Sequence, residues 1–171
     1  MNRMPLTLRR RRQRQLGFSL IELLVVISII LIILFFAVPK MTSIQANARE
    51  TGAISTMKTI YAAQIQYQST FNKFATTMTQ LGPPAGAGGA EGPEAANLIP
   101  GSLAAGESSG YLFTLTATPT GYTVSAVPKV FGTTGRRTFY LDQTGVIRQN
   151  WGQEPATATS GEAGAAAAAS K

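Results

Sequence analysis

The sequence predicts an α+β protein in which a long N-terminal helix packs on a small antiparallel β-sheet of about four strands. Three observations support this class: an apolar block over residues 18–38, a helical period over residues 41–74, and strand-like segments separated by turns over residues 111–151. A helix covered by one face of an antiparallel meander is an α+β arrangement. The predicted parts are a basic segment 1–17, an apolar helix 18–39, an amphipathic helix 40–81, a loop 82–110, a sheet 111–151 and a disordered tail 152–171.

The basic balance of the chain belongs to its first residues. The chain of 171 residues has a formal net charge of +7, and residues 1–17 hold six arginines and no acid. Without these arginines the net charge of the chain is +1. An arginine run beside an apolar span fixes membrane orientation more often than it binds nucleic acid, so we expect no nucleic-acid partner. The six are Arg3, Arg9, Arg10, Arg11, Arg12 and Arg14.

The apolar block reads FSLIELLVVISIILIILFFAV and is 21 residues long. At about 1.5 Å per residue, a helix of this length spans roughly 30 Å, the thickness of the hydrocarbon core of a bilayer. The block is too long for the apolar region of a secretory signal peptide, and the following Pro39-Lys40-Met41 is not a small-residue cleavage site. We therefore expect a single transmembrane helix over residues 18–39, with its N-terminus in the cytoplasm and the chain beyond Lys40 across the membrane.

Glu22 is the discordant residue of this block. A carboxylate in an apolar span costs at least about 2.5 kcal/mol unless it is neutral, paired or near the interface. One interpretation places Glu22 close enough to the cytoplasmic interface for its carboxylate to reach water, with no further role. The other gives it a positive partner, which cleavage after Gly17 would create as a new α-amino group on Phe18. That amine would lie about one helical turn from Glu22 in the same chain, and nearer to it in a staggered neighbour.

The stretch LGFSLIELLVVISIILIILFFAVPK resembles the N-terminus of type IV pilins and of the pseudopilins of type II secretion systems. That class has a short basic leader, a glycine, an aromatic residue, a small hydroxylated residue, two aliphatic residues and a glutamate. A helix-kinking proline typically occupies the twenty-second position after the cleavage site. Here the matching residues are Gly17, Phe18, Ser19, Leu20, Ile21, Glu22 and Pro39.

The resemblance implies a pilin-like fold, processing at Gly17 and Phe18, and assembly through Glu22 and Pro39. A prepilin peptidase would remove residues 1–17 by cleaving between Gly17 and Phe18, and would N-methylate Phe18. Glu22 would neutralise the Phe18 amine of an adjacent subunit during filament assembly. The precursor would lie in the inner membrane with a periplasmic C-terminal domain, and the filament at the cell surface or in the periplasm. The implied partners are other pilin-like subunits, the peptidase and an inner-membrane assembly platform, with no cofactor.

Beyond Pro39, which kinks or locally melts a helix without necessarily ending it, an amphipathic period resumes. Apolar residues and glutamines recur at steps of three and four residues, which predicts one packed face. We expect the charged residues of this helix to lie on a solvated face; they are Lys40, Arg49, Glu50 and Lys58. The predicted stripe is Ile44, Ala48, Ile54, Met57, Ile60 or Tyr61, Gln64 or Ile65, Gln68 and Phe71.

Residues 82–110 are rich in Gly, Pro and Ala and are predicted to form a long loop, with ANLIPGSL as a short packed turn. Strand signals follow in two hairpins. The first joins YLFTLTAT to YTVSAVPK through a turn at 119–121, and the second joins RTFYLD to VIRQNW through a turn at 143–145. The predicted strands are therefore 111–118, 122–129, 137–142 and 146–151.

Two further features concern Asp142 and the tail. Some major pseudopilins bind calcium through several acidic residues near this position, but Asp142 is the only Asp of the chain and no other acid follows until Glu154. We therefore predict a hairpin-turn role for Asp142 and no metal site. Residues 152–171 have no aromatic or large aliphatic side chain, so we expect them to be disordered.

Three classes of function remain to be compared. The leading hypothesis is a structural subunit of a type IV pilus-like filament, with a secretion pseudopilin as the alternative; the lack of an acidic calcium cluster favours the pilus. A single-pass membrane-anchored binding module is the hypothesis from another class, and an intact arginine leader on the mature protein would favour it. An enzyme is not predicted, because the chain has no His, no Cys, no catalytic motif and a single Asp.

Overall fold

The computed structural model describes residues 18–86, 89–118 and 120–164, and it leaves the side chains of residues 37–41 undescribed. The chain divides into two compact units, Met1–Pro39 and Lys40–Lys171. The predicted leader and the predicted cleavage residue Gly17 lie outside the described residues, as does the end of the tail from residue 165 onward.

Helix α1 spans Leu20–Phe71. Its first part, from Leu20 to Pro39, belongs to the first unit. The Ser19 carbonyl accepts a hydrogen bond from the Leu23 N–H at 3.1 Å, which closes the first turn. The helix continues through Pro39, so this proline does not end it. In the part of the chain that the structure describes, no helix is both long and apolar enough to count as a membrane span.

In the second unit, the buried positions of α1 recur at steps of three and four residues. The sequence predicted this period, and burial of Met57, Ile60 and Gln64 confirms it. Part of the predicted stripe is wrong, since Ile44 is 64% exposed and Gln68 is exposed. The prediction favoured large aliphatic residues, whereas the face toward the sheet also carries alanines and an acid. The recurring buried positions are Ala46, Glu50, Ala53, Met57, Ile60, Gln64 and Tyr67.

Six antiparallel strands follow one another in sequence order across a single sheet. The prediction of about four strands is wrong because each edge of the sheet carries a strand of two residues, too short to show an alternating pattern. The four longer strands coincide with the four predicted ones to within two residues at each end. The bounds are β1 Glu107–Ser108, β2 Tyr111–Thr118, β3 Gly121–Pro128, β4 Arg137–Asp142, β5 Arg148–Trp151 and β6 Gly161–Glu162.

The hydrophobic core lies between α1 and one face of strands β2, β3 and β4. Inward residues alternate along each strand, as expected for a sheet with one buried face. This confirms the predicted packing of the helix on the meander. The strand residues in the core are Tyr111, Phe113, Tyr122, Val124, Ala126, Phe139 and Leu141.

The connection from helix to sheet contains two short helices, α2 Met78–Leu81 and α3 Gly101–Ala104. The predicted packed turn is confirmed, because Ile99 and Leu103 are buried and the Ile99 N–H donates to the Leu81 carbonyl at 3.0 Å.

The predicted disorder of the tail is wrong for residues 152–164. Strand β6 pairs with β5 there, and the buried Thr138 hydroxyl donates to the Glu154 carbonyl at 2.7 Å. Ala156 is buried as well. Backbone pairing, hydrogen bonds and small apolar contacts of Ala156 and Ala163 therefore hold a segment whose composition carries no strand signal.

Candidate functional site

The start of α1 carries one predicted processing residue, Phe18, and one predicted assembly residue, Glu22. Phe18 precedes the helix, and Glu22 lies in its first turn. Both side chains are exposed. A carboxylate in the first turn is favourable because the unpaired N–H groups at a helix N-terminus carry partial positive charge. The helix therefore presents an acid where a positive group on another molecule can reach it.

The rest of this segment exposes an apolar surface. The side chains of residues 18–36 are all exposed, and Glu22 is the one charged residue among them. The Ser28 hydroxyl donates to the Leu24 carbonyl at 2.7 Å, so this polar group is satisfied within the helix. Monomeric soluble proteins rarely expose a contiguous apolar surface of this extent, which indicates that it is covered by a partner or by lipid.

Pro39, the other predicted assembly residue, has helical backbone, and its side chain lies outside the described residues. The structure thus brings Phe18 and Glu22 to one end of the helix and leaves Pro39 about five turns further along it.

A buried ion pair in the second unit was missed in the sequence analysis, which assigned Glu50 to a solvated face. Glu50 is 1% exposed. Its Oε2 lies 2.7 Å from Arg137 Nη2 and accepts from Arg137 Nε at 2.8 Å, while its Oε1 accepts from the Arg136 N–H at 2.7 Å. A buried carboxylate is tolerated when it is paired and hydrogen-bonded in this way. The pair joins the helix to the start of β4.

Arg137 is held by further contacts on the sheet. Its Nη1 donates to Gln149 Oε1 at 2.7 Å, and its guanidinium carbon lies 5.0 Å from the ring centre of Trp151. The Arg137 carbonyl accepts from the Tyr111 hydroxyl at 2.9 Å. Burial raises the pKa of Tyr111, and the nearby Glu50 charge raises it further. The cluster is therefore a fixed polar element inside the core, without a free nucleophile or base.

Asp142 occupies a turn, as predicted. Its Oδ1 accepts from the Thr144 N–H at 2.9 Å between β4 and β5. Within residues 18–86, 89–118 and 120–164, no cluster of three acidic, His or Cys side chains is placed to hold a metal. The carboxylate of Asp142 stabilises the hairpin by imitating a backbone turn.

Comparison with known proteins gives two matches. The family described as the prokaryotic N-terminal methylation motif matches residues 12–38. The chain is also 32% identical over 69 residues to the type IV major pilin protein PilA of Myxococcus xanthus (strain DK1622). This alignment covers 40% of the chain and 31% of that pilin. No solved structure matches the chain.

Over its apolar N-terminal segment the chain is therefore similar to proteins that carry the N-terminal methylation motif. The chain spans 31% of the length of the type IV major pilin that it matches. Neither match separates a pilus subunit from a secretion pseudopilin.

Proposed function

We propose that this chain is the precursor of a structural subunit of a type IV pilus-like filament. The observation that carries the proposal is the match of the methylation motif over residues 12–38, in register with a helix whose side chains at 18–36 are all exposed. The apolar surface would lie in the inner membrane before assembly and against neighbouring subunits afterwards. Both environments remove the apolar surface from water, and the hydrophobic effect therefore favours membrane insertion before assembly and subunit contact afterwards.

Processing would occur between Gly17 and Phe18, followed by N-methylation of Phe18. Cleavage removes the six arginines of the leader and leaves a single positive charge, the α-amino group, at the end of an apolar helix. A prepilin peptidase and an inner-membrane assembly platform would be the partners in these steps. The mature chain no longer has the arginine cluster that held its N-terminus on the cytoplasmic side, so extraction from the membrane becomes less costly.

Glu22 would pair with the Phe18 amine of an adjacent copy. An unpaired carboxylate and an unpaired ammonium group are each costly in an apolar environment, and bringing them together offsets part of both costs. Because both groups lie at the same end of α1, the pairing requires neighbouring helices to be displaced along their axes by about one turn. Such a stagger is the geometry of a helical filament.

Mass spectrometry of the mature protein tests the processing step. We expect a chain that begins at Phe18 and carries one additional methyl group at its N-terminus. A mature protein that retains Met1 and the arginine leader would contradict the proposal and favour the membrane-anchored binding module. Gly17→Asp provides a matched control, because it changes the cleavage site without altering the apolar helix.

Substitution of Glu22 tests the assembly step. In Glu22→Ala we expect normal processing but a sharp fall in the amount of protein recovered in sheared filaments, because the Phe18 amine then has no counter-charge. Ser28→Ala is the matched control on the same helix, since its hydroxyl bonds only to its own backbone among the contacts described. Unchanged filament yield from Glu22→Ala would refute the pairing.

A further inference from the structure

One end of the folded unit exposes an unusual pair of aromatic side chains. Trp151, at the end of β5, is 69% exposed, and Phe131 in the loop before β4 is 39% exposed. Trp151 is the Cα partner of Arg137, and the neighbouring Gly152 N–H donates to the Arg136 carbonyl at 3.3 Å. Phe131 forms a backbone bridge with Gly135. Phe131, Arg136 and Trp151 therefore share one end of the sheet, here called the Trp151 surface.

The Trp151 surface is held in place before any partner arrives. Arg137 lies over the indole ring and is itself fixed by Glu50 and Gln149. In the loop, the buried Thr134 side chain bonds both the N–H and the carbonyl of Val130, at 3.0 and 3.1 Å. Binding energy concentrates on Trp, Tyr and Arg residues, and prior ordering lowers the entropic cost of contact. A fixed, exposed Trp beside an exposed Arg136 is thus suited to a protein interface.

A complementary surface lies beside the C-terminal end of α1. Glu91 and Glu94 are exposed on either side of Gly92 and Pro93, in residues 91–94, here called the acidic turn. Gly92 and Ala95 exchange two backbone hydrogen bonds, at 3.1 and 3.0 Å. The Pro93 carbonyl accepts from the Tyr67 hydroxyl at 2.6 Å. The acidic turn is thereby tied to α1 and presents two carboxylates with an exposed proline between them.

The two surfaces are too far apart to meet within one molecule. Glu50 contacts the sheet beside the Trp151 surface, and Tyr67 contacts the acidic turn. These residues are 17 positions apart on α1, or roughly 25 Å along its axis at about 1.5 Å per residue. Contact between the surfaces therefore requires a second copy. It joins two different patches, and such heterologous contacts generate open helical assemblies.

We propose that the acidic turn of one copy docks on the Trp151 surface of the next copy. The carboxylates of Glu91 and Glu94 face Arg136, which takes part in no ion pair within the described residues. Pro93 packs on the indole ring, as prolines do in aromatic-lined recognition sites. This inference rests on the proposed filament function and specifies which parts of the folded units touch.

Trp151 is the one tryptophan of the chain, so its fluorescence reports on the contact directly. The experiment compares the full mature chain in detergent with purified sheared filaments. We expect the filament spectrum to shift to shorter wavelength and acrylamide quenching to fall, because docking removes the indole from water. Filaments in which Trp151 is quenched as readily as in the detergent sample would overturn this inference alone. Failure of the chain to form any filament would overturn the proposed function as well.

Charge reversal gives the second arm of the test. Arg136→Glu, and separately the double variant Glu91→Arg/Glu94→Arg, should each lower filament yield roughly fivefold or more. The three substitutions combined in one chain should restore most of the yield, since the charges are again opposite. A loss caused by misfolding would not be rescued in this way.

The matched controls are single changes outside both surfaces. Glu162→Arg alters an exposed acid on β6, and Leu112→Ala removes an exposed apolar side chain on β2. Both should leave the filament yield and the Trp151 spectrum unchanged. An equal loss from Glu162→Arg and from the reversal of the acidic turn would mean that net charge and not the docking contact controls assembly, and it would overturn the inference.

Discussion

The Glu50 carboxylate on α1 lies 2.7 Å from the guanidinium Nη2 of Arg137 on β4, inside a core that otherwise consists mainly of apolar side chains. Each oxygen of the carboxylate has a partner, because Oε1 accepts from the Arg136 N–H. Apolar packing alone allows a helix to slide or rotate on a sheet at small cost, whereas this ion pair is satisfied at one position only. The register of helix and sheet therefore depends on a polar contact.

Replacing Glu50 by glutamine should strongly destabilise the folded unit. The substitution keeps the volume but leaves the largely buried guanidinium of Arg137 without its counter-charge, so we expect a loss of about 3 kcal/mol in the free energy of unfolding. Chemical denaturation of the detergent-solubilised chain measures this quantity. The matched control is Glu107→Gln, which breaks the half-exposed ion pair with Lys129 and should cost less than about 1 kcal/mol. Similar losses in both variants would contradict the role assigned to Glu50.

Gly135 should not tolerate a side chain. A Cβ atom at this position would lie 2.0 Å from the Tyr111 hydroxyl oxygen, which is fixed by its bond to the Arg137 carbonyl. We expect Gly135→Ala to lower the unfolding free energy by about 1–3 kcal/mol through overpacking. Gly161→Ala is the control, since nothing lies within 4 Å of its Cβ position, and its thermal unfolding should match the wild type. A wild-type melting temperature for Gly135→Ala would show that Tyr111 moves aside freely.

Alkaline pH should destabilise the folded unit through its buried tyrosines. Burial raises the pKa of Tyr111 and of Tyr122 above the ordinary value of about 10. The unfolded chain loses these protons first, so the stability they contribute is present below pH about 10 and is lost as pH rises toward the folded-state pKa. Each group should contribute a slope of about 1.4 kcal/mol per pH unit in that range. Denaturation at a series of pH values measures the slope.

Tyr122→Phe isolates one of these contributions. Within the described residues the buried Tyr122 hydroxyl has no hydrogen-bond partner, so its removal should cost little stability near neutral pH. The alkaline slope should nevertheless decrease, because one titrating group is gone. An unchanged slope would show that Tyr122 does not contribute to it.

Much of the fold follows from local patterns that the sequence displays. The strands over 111–118 and 137–142 were predicted to the residue, because alternating β-rich segments are bounded by turn residues. The two edge strands were not predicted, since two residues cannot show an alternation. Their pairing depends on backbone groups that any residue supplies, and the tail segment at β6 lacks the bulky side chains that identify a strand.

The Gly17–Glu22 motif and the Glu50–Arg137 ion pair also differ in how far the sequence alone reveals them. The Gly17–Glu22 motif is contiguous and is therefore visible in the sequence. Glu50 and Arg137 lie 87 residues apart, and only the packing of the sheet brings them together. A charged residue on an amphipathic helix is normally solvated, so a partner that distant gives no local signal of burial. The same reason explains why part of the predicted stripe is misplaced: the buried face of α1 contains Glu50, which the prediction assigned to the solvated face.

Gln64 provides a further prediction, because its side-chain amide bonds both backbone groups of Ala75. Gln64 is fully buried; its Nε2 donates to the Ala75 carbonyl at 3.0 Å, and its Oε1 accepts from the Ala75 N–H at 2.9 Å. The two bonds fix the chain where it reverses after α1. In Gln64→Met, both backbone groups of Ala75 lose their partner while the volume stays similar, so we expect a loss of about 2–4 kcal/mol in unfolding free energy. Amide hydrogen exchange at Ala75 should accelerate in parallel. Gln68→Met, one turn further along on an exposed position, should change neither quantity. If Gln68→Met were the more damaging variant, the assignment of Gln64 to the buried face of α1 and of Gln68 to the exposed face would be contradicted.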